Sequence, residues 1–268
     1  LGTQRFTSEN SPLVNRAFLF GDAVKVSFFV RNGQLILAEE CYFFLMASMR
    51  KLRLQIPLSY TLEYFVNYFR ENILSKEISN ATIQLMVYRN SEETALEKAG
   101  VSFYYDIEVT EDVLEIRGEH QMDMIKEIHV NTHFLSTIKV HSVENIYAEI
   151  YARDNDLDDV ILLNSNKKIA RSIYGNLLFL EGKTIKIPKQ SEGAYISPLM
   201  ENFVTFLHKS NLAVIVESEM IAFESQKAEE IIMISDEKGI FSVTKIRNKT
   251  FETTRFTELI EKWKLSFN

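Results

Sequence analysis

An Asn-Gly pair at positions 32 and 33, set between two β-rich runs, constrains this chain most. Both residues accept positive φ, which a tight hairpin turn requires, so residues 24–30 are expected to pair antiparallel with residues 34–37. A helical pattern follows at once. Tyr42, Leu45, Met46, Met49 and Leu52 recur at the three- and four-residue spacing of one helix face over residues 39–54. Pro57 ends that helix. Ser59 is placed to cap a second helix, with Glu63 in its first turn and Leu62, Phe65, Val66, Phe69 and Ile73 as its buried stripe to about residue 74. Strands are expected at 81–88 and 101–109, and an irregular arm at 1–12.

The charged stretch 108–120 has weak periodicity and lacks the Gly, Ser or Pro richness of a flexible linker. It is read as the crossing between an N-terminal α/β domain, residues 1–112, and a second domain, residues 113–268. The second half mixes short elements. Helices are expected at 142–154, from Pro198 through Leu207, and at 256–263. Strands are expected at 159–163, 167–171, 177–180, 184–187, 213–216, 230–234 and 240–246. This mixture predicts an α+β protein.

Charge and cysteine content exclude several functions. The net charge of −7 opposes the basic footprint of a nucleic-acid binder, and the local run Arg50-Lys51 with Arg53 is read as a solvated helix face. The densest apolar stretch, 42–49, is too short to span a bilayer, and no charged-then-apolar leader stands at the start. The single cysteine, Cys41, permits no intrachain disulfide, so a reducing cytoplasmic setting and no membrane association are expected.

The residues alone offer little chemistry. No Gly-rich phosphate loop and no Cys-x-x-Cys pair is present. His129 and His133 have metal-ligand spacing for a helix, but Ile128, Val130 and Thr132 argue for a strand, on which the two rings lie roughly 13 Å apart. No metal site is expected. The carboxylates Asp154, Asp156, Asp158 and Asp159 are read as a helix-end loop in water, and Cys41 as packed on an apolar helix.

A resemblance supplies the rest. The segment Asn15-Arg16-Ala17-Phe18-Leu19-Phe20-Gly21-Asp22-Ala23-Val24 is followed by the hairpin and by Glu39-Glu40 at a helix start. Further on come Ile138-Lys139, the run Leu157-Asp158-Asp159-Val160-Ile161-Leu162-Leu163-Asn164, Asn176-Leu177, the 182–188 strand and Ser191-Glu192-Gly193 before a helix. In order and spacing this set resembles the class IV aminotransferases, which include branched-chain and D-amino-acid aminotransferases and aminodeoxychorismate lyases, over residues 15–262. The resemblance implies a two-domain D-amino-acid-aminotransferase-like fold, an N-terminal α/β sandwich and a C-terminal barrel-like domain. It also implies a homodimer and a pyridoxal phosphate (PLP) cofactor in the cleft, acting on an amino acid or aminodeoxychorismate as a transferase or lyase.

By the same resemblance Lys139 is the catalytic lysine that forms a Schiff base with PLP. Arg171, Asn176, Ser197, Leu199 and Ser235 are the other positions that would surround the cofactor. Several depart from the family pattern. Cys41 and Phe44 stand where a His and a phosphate-binding Arg are expected. Pro198 lies in the phosphate turn without an N–H, and Leu199 brings no hydroxyl. Ser235 can still donate, but Asp236 and Glu237 follow it. Arg171 replaces the Glu that protonates the pyridine nitrogen. The expectation is therefore a divergent PLP protein that binds its cofactor weakly or has lost it. The alternatives are a non-catalytic scaffold of the same fold, and a cleft that binds a carboxylate metabolite through Arg171, with Arg16 as the other remaining cation.

Overall fold

The computed structural model describes residues 15–90 and 99–267. The N-terminal arm expected at 1–12 lies outside them. The hairpin forms as expected: β1 (Ala23–Arg31) pairs antiparallel with β2 (Gln34–Ile36), and both Asn32 and Gly33 have positive φ. β3 (Ala81–Arg89) and β4 (Val101–Val109) complete a four-stranded antiparallel sheet in the order β2-β1-β3-β4. The short helix α1 (Arg16–Phe20) precedes it, capped by the Asn15 side chain and ended by Gly21 in the left-handed conformation.

Helices α2 (Ala38–Lys51) and α3 (Leu62–Asn72) pack on one face of this sheet. The cap of α3 is Thr61, whose side chain accepts from the Tyr64 N–H, and not Ser59. The buried stripe of α3 meets β1 through rings. Phe28 lies 5.0 Å from Phe69 and 6.3 Å from Phe65 between centroids. Such pairs add about 0.5–1.5 kcal/mol each beyond the area they bury.

The chain passes to a second sheet between Val109 and Ile116. Its first strand, β5 (Ile116–Met124), begins inside the stretch 108–120 read from sequence as the crossing. The remaining elements are α4 (Val143–Asp154), β6 (Asp159–Leu163), β7 (Ile169–Ser172), β8 (Asn176–Glu181), β9 (Thr184–Pro188), α5 (Pro198–Lys209), β10 (Val214–Ser218), β11 (Glu230–Ser235), β12 (Gly239–Ile246), β13 (Lys249–Thr250) and α6 (Thr254–Leu265). The sheet runs β10-β9-β8-β11-β12-β5-β6-β7, with β13 on β12. It is mixed: β9–β10, β12–β5 and β5–β6 are parallel. The sheet curls, because a tight turn at 173–175 joins its last strand β7 directly to β8 near its middle.

Alternation along the central strands divides the core. Leu177, Phe179, Ile231 and Met233 fill the inside of the curl. Their neighbours Leu178, Leu180, Ile232 and Ile234 face outward and join the helices α2, α5 and α6 and the first sheet in one continuous core. Both faces of β8 and β11 are thus buried, which explains their unbroken apolar runs.

Two further sequence expectations need correction. Residues 128–132 form no strand: only Val130 makes an isolated bridge, to Asn164, and the segment is a loop in which His133 Nδ1 accepts from the Leu135 N–H. The acidic cluster is not uniformly solvated. Asp159 is fully buried, its Oδ1 accepting from the N–H groups of Val160 and Ile173. A carboxylate at the first position of β6, a strand paired on both sides, is carried inside with the strand.

Candidate functional site

The loop between β5 and α4 carries Lys139 into the space between the two sheets. Its backbone is pinned on both sides. The Lys139 carbonyl accepts from the Lys25 N–H of β1 at 3.0 Å, and the Thr137 carbonyl accepts from the Ile196 N–H at 2.9 Å. Lys51, read as solvated, instead reaches this loop and donates to the Thr137 hydroxyl. Gly21, at the end of α1, is required here. Its φ is +63°, and a Cβ would stand 2.5 Å from that of His141.

The Lys139 Nζ donates to the Tyr174 carbonyl at 3.1 Å and lies 3.8 Å from Glu237 Oε2. Burial pulls the amine below the usual lysine range; Glu237 and Asp236 oppose that shift, while Arg171 and Lys25 add to it. The amine opens on a cavity of about 290 Å³ whose wall includes Lys25, His141, Asn145, Tyr174, Tyr195 and Glu237.

Asp236, in the turn between β11 and β12, is also buried. Its Oδ1 accepts from the Ser197 hydroxyl at 2.7 Å and from the Leu199 N–H at 3.2 Å. These donors stand at the start of α5, where Ser197 is the N-cap and Pro198 follows it. Burial raises the Asp236 carboxyl above its ordinary value, opposed by Lys139, the Ser197 hydroxyl and the Leu199 N–H. Phe44 closes the same region. Together with Lys25, Ser27, Gln84 and Asp236 it lines a cavity of about 10 Å³, space for roughly one water.

The other expected site residues are engaged in structure. Ser235 gives its proton to the Tyr174 carbonyl at 2.7 Å and accepts from the N–H groups of Glu237 and Lys238, so it has none left for a cofactor. Asn176 exchanges both its amide groups with the backbone of Tyr195, at 2.8 and 3.0 Å, and so fixes that ring. The Leu199 side chain lies in the core. Arg171 is buried on β7; it donates to the carbonyls of Ser172 and Ile173 and to Asn145 Oδ1, and stacks 4.2 Å over the Tyr195 ring. Arg16 is held by Asp22 at 2.7 Å. Lys139, Asn176, Arg171, Ser197, Leu199 and Ser235 are therefore brought together, but only Lys139 presents a reactive group to the larger cavity.

PLP places a phosphate dianion on hydrogen-bond donors. Where the phosphate turn is expected, the donors of Ser197 and Leu199 already hold a carboxylate, a phenyl ring stands in place of a guanidinium, and the remaining space is a water's width. The residues present do not fit PLP held in the family's manner.

Sequence reasoning missed Lys25 as part of this site and underread Asp236. Lys25 directly follows the quoted Ala23-Val24 segment, and its place beside Lys139 comes from a bridge between residues far apart in sequence. For Asp236 the signal was its position after Ser235, read only as repulsion.

With this geometry established, the chain can be set beside known proteins. Its structure is similar to that of a branched-chain aminotransferase from the thermophilic archaeon Thermoproteus uzoniensis, solved with norvaline, with a TM-score of 0.83 at 16% identity, covering 96% of this chain and 90% of that one. A candidate 4-amino-4-deoxychorismate lyase from Legionella pneumophila gives 0.82 at 15% identity, covering 96% of each chain. The Escherichia coli branched-chain amino acid aminotransferase gives 0.81 at 12% identity, covering 93% and 86%. No curated protein sequence matches the chain. The fold is that of these aminotransferases and lyases. The family model of amino-transferase class IV matches residues 27–246, so the chain belongs to that family.

Proposed function

We propose that this protein keeps the class IV aminotransferase fold while working without PLP, as a cytoplasmic protein whose lysine-bearing cleft takes a small polar metabolite. The observation that carries this reading is the Asp236 carboxylate seated on the Ser197 hydroxyl and the Leu199 N–H. A phosphate entering there must displace a buried side chain and face Glu237 nearby, with no guanidinium to offset either. Arg171 adds to the case, since it stands where the resemblance places the Glu that protonates the pyridine nitrogen, and without that carboxylate the electron sink that transamination needs would be weakened.

A second reading is favoured by one observation, the Lys139 amine facing a cavity of about 290 Å³. It makes the chain a PLP-dependent aminotransferase or aminodeoxychorismate lyase with Lys139 as the Schiff-base lysine. The two readings separate on PLP retention. Protein is mixed with PLP, desalted and examined for the visible absorbance of a lysine-linked cofactor, beside Lys139→Ala. No retained band in the native chain is expected, whereas Asp236→Thr, which frees the donors of α5, is expected to gain PLP affinity. A band retained by the native chain and lost in Lys139→Ala would overturn the PLP-free reading.

A further inference from the structure

We infer that Lys139 condenses directly with a small carbonyl compound, an aldehyde or a 2-oxo acid, bound in the cavity it faces, with Glu237 carrying the proton and Lys25 facing the carboxylate where the ligand is a 2-oxo acid. This inference rests on the PLP-free reading of the cleft.

Three features support it. The first is position: Lys139 and Lys25 line the same cavity, and a bridge holds their backbones side by side. A reactive amine is most effective when its base is held rather than mobile. The second is environment. Lys139 is buried, and burial, the largest effect, together with Arg171 and Lys25 favours its neutral, nucleophilic form over the opposing pull of Glu237 and Asp236. The third is size. At about 290 Å³ the cavity sits at the bottom of the range for ligand pockets, roughly 300–1,000 Å³. That leaves room for a small carbonyl compound beside the amine.

The chemistry balances without another reagent. The neutral Nζ attacks the carbonyl carbon, a C–N bond forms, and the carbonyl π pair passes to oxygen, which takes a proton. The nitrogen then loses a proton, the C–O bond breaks with protonation of the hydroxyl, and water leaves. Amine, carbonyl compound and one proton become an iminium ion and water. Glu237 Oε2, 3.8 Å from the Nζ, is close enough to accept and return the transferred proton through a short rearrangement. The Tyr174 carbonyl, 3.1 Å away, orients the amine before attack.

The test is reductive trapping. PLP-free protein, its freedom from PLP checked by absorbance, is incubated at neutral pH with pyruvate or with propionaldehyde and then with borohydride, and the adducts are mapped by peptide mass spectrometry. Lys139 is expected to be labelled first and saturably, ahead of exposed lysines such as Lys167. Lys139→Arg, which keeps the charge, is expected to lose this adduct while the exposed lysines label as before. Glu237→Gln is expected to slow trapping at Lys139 roughly 10²-fold, with its fold checked by circular dichroism. Labelling of Lys139 no faster than that of exposed lysines would overturn the inference. The absorbance measurement reports separately on the reading beneath it, because a native chain that retains PLP on Lys139 fails that reading whatever the trapping shows.

Discussion

Asp159 shows how a single residue sets conditions for the site. Its Oδ1 holds the Ile173 N–H, and so the 173–175 turn whose Tyr174 carbonyl receives Lys139. Its Oδ2 is buried without a hydrogen-bond partner. Burial raises the carboxyl from 3.8 to about 6, against the N–H groups, the nearby Ser172 hydroxyl and Arg171, which lower it. Between those values the folded protein keeps a proton that the unfolded chain has released, so folding is favoured at the acid end. That contribution is lost as pH rises from 3.8 through about 6. Integrated over the shift it amounts to about 3 kcal/mol. Asp159→Asn cannot ionise and is expected to lack this slope. Urea midpoints of the two proteins across the same pH range check it. Parallel curves would show that Asp159 titrates as an ordinary acid.

At the scale of elements, the N-terminus of α5 joins fold and site. Ser197 accepts from the Met200 N–H as a cap and donates to Asp236. Ser197→Ala therefore loses a cap worth about 1 kcal/mol and a bond to a charged group worth about 1.5–3. A loss of about 2–4 kcal/mol is expected in chemical denaturation, several times that of an exposed Ser→Ala change such as Ser59→Ala. A loss no larger than a cap alone would mean that Asp236 does not depend on this hydroxyl. The same element shows what the sequence could tell. The helix start, its Ser197 cap and the Pro198 position were legible, because capping chemistry is local. The partner was not, since Asp236 lies 39 positions away and nothing in Ser235-Asp236-Glu237 says which carboxylate turns inward. The hairpin and the helices α2 to α6 were legible from turn chemistry and periodicity. Strand β5 was not, because Arg117, Glu119, Gln121 and Asp123 interrupt it with polar residues, and its place is set by β12 and β6 on either side. Helix α1 spans only five residues, too few to show a period.

Over the whole molecule, the described surface carries an apolar region beside the cleft that a monomer leaves in water. Helix α4 buries Ala148 and Ala152 against the second sheet, yet presents Val143, Ile146, Tyr147 and Ile150 outward at helical spacing. Phe18, Leu19 and Phe20 of α1 are likewise exposed. Ala17 and Gly21 from the α1 region and Ile146 and Glu149 from α4 line the same cavity as Lys139, so this apolar surface flanks the mouth of the cleft. Such a patch is costly in a monomer and marks an association site. We propose that a second copy of the chain covers it in a two-fold dimer, which would also narrow access to the lysine. In that arrangement each stripe meets its own counterpart or the α1 region of the partner, so one substitution acts twice. Ile146→Asp with Ile150→Asp would bury four carboxylates across the interface, and is expected to convert the dimer to a folded monomer in sedimentation at micromolar concentration. Both side chains are exposed in the isolated chain, so its thermal stability apart from the dimer contribution should change little. If the native protein sediments as a monomer, the stripe has another purpose. If the double variant remains dimeric, the interface lies on another face.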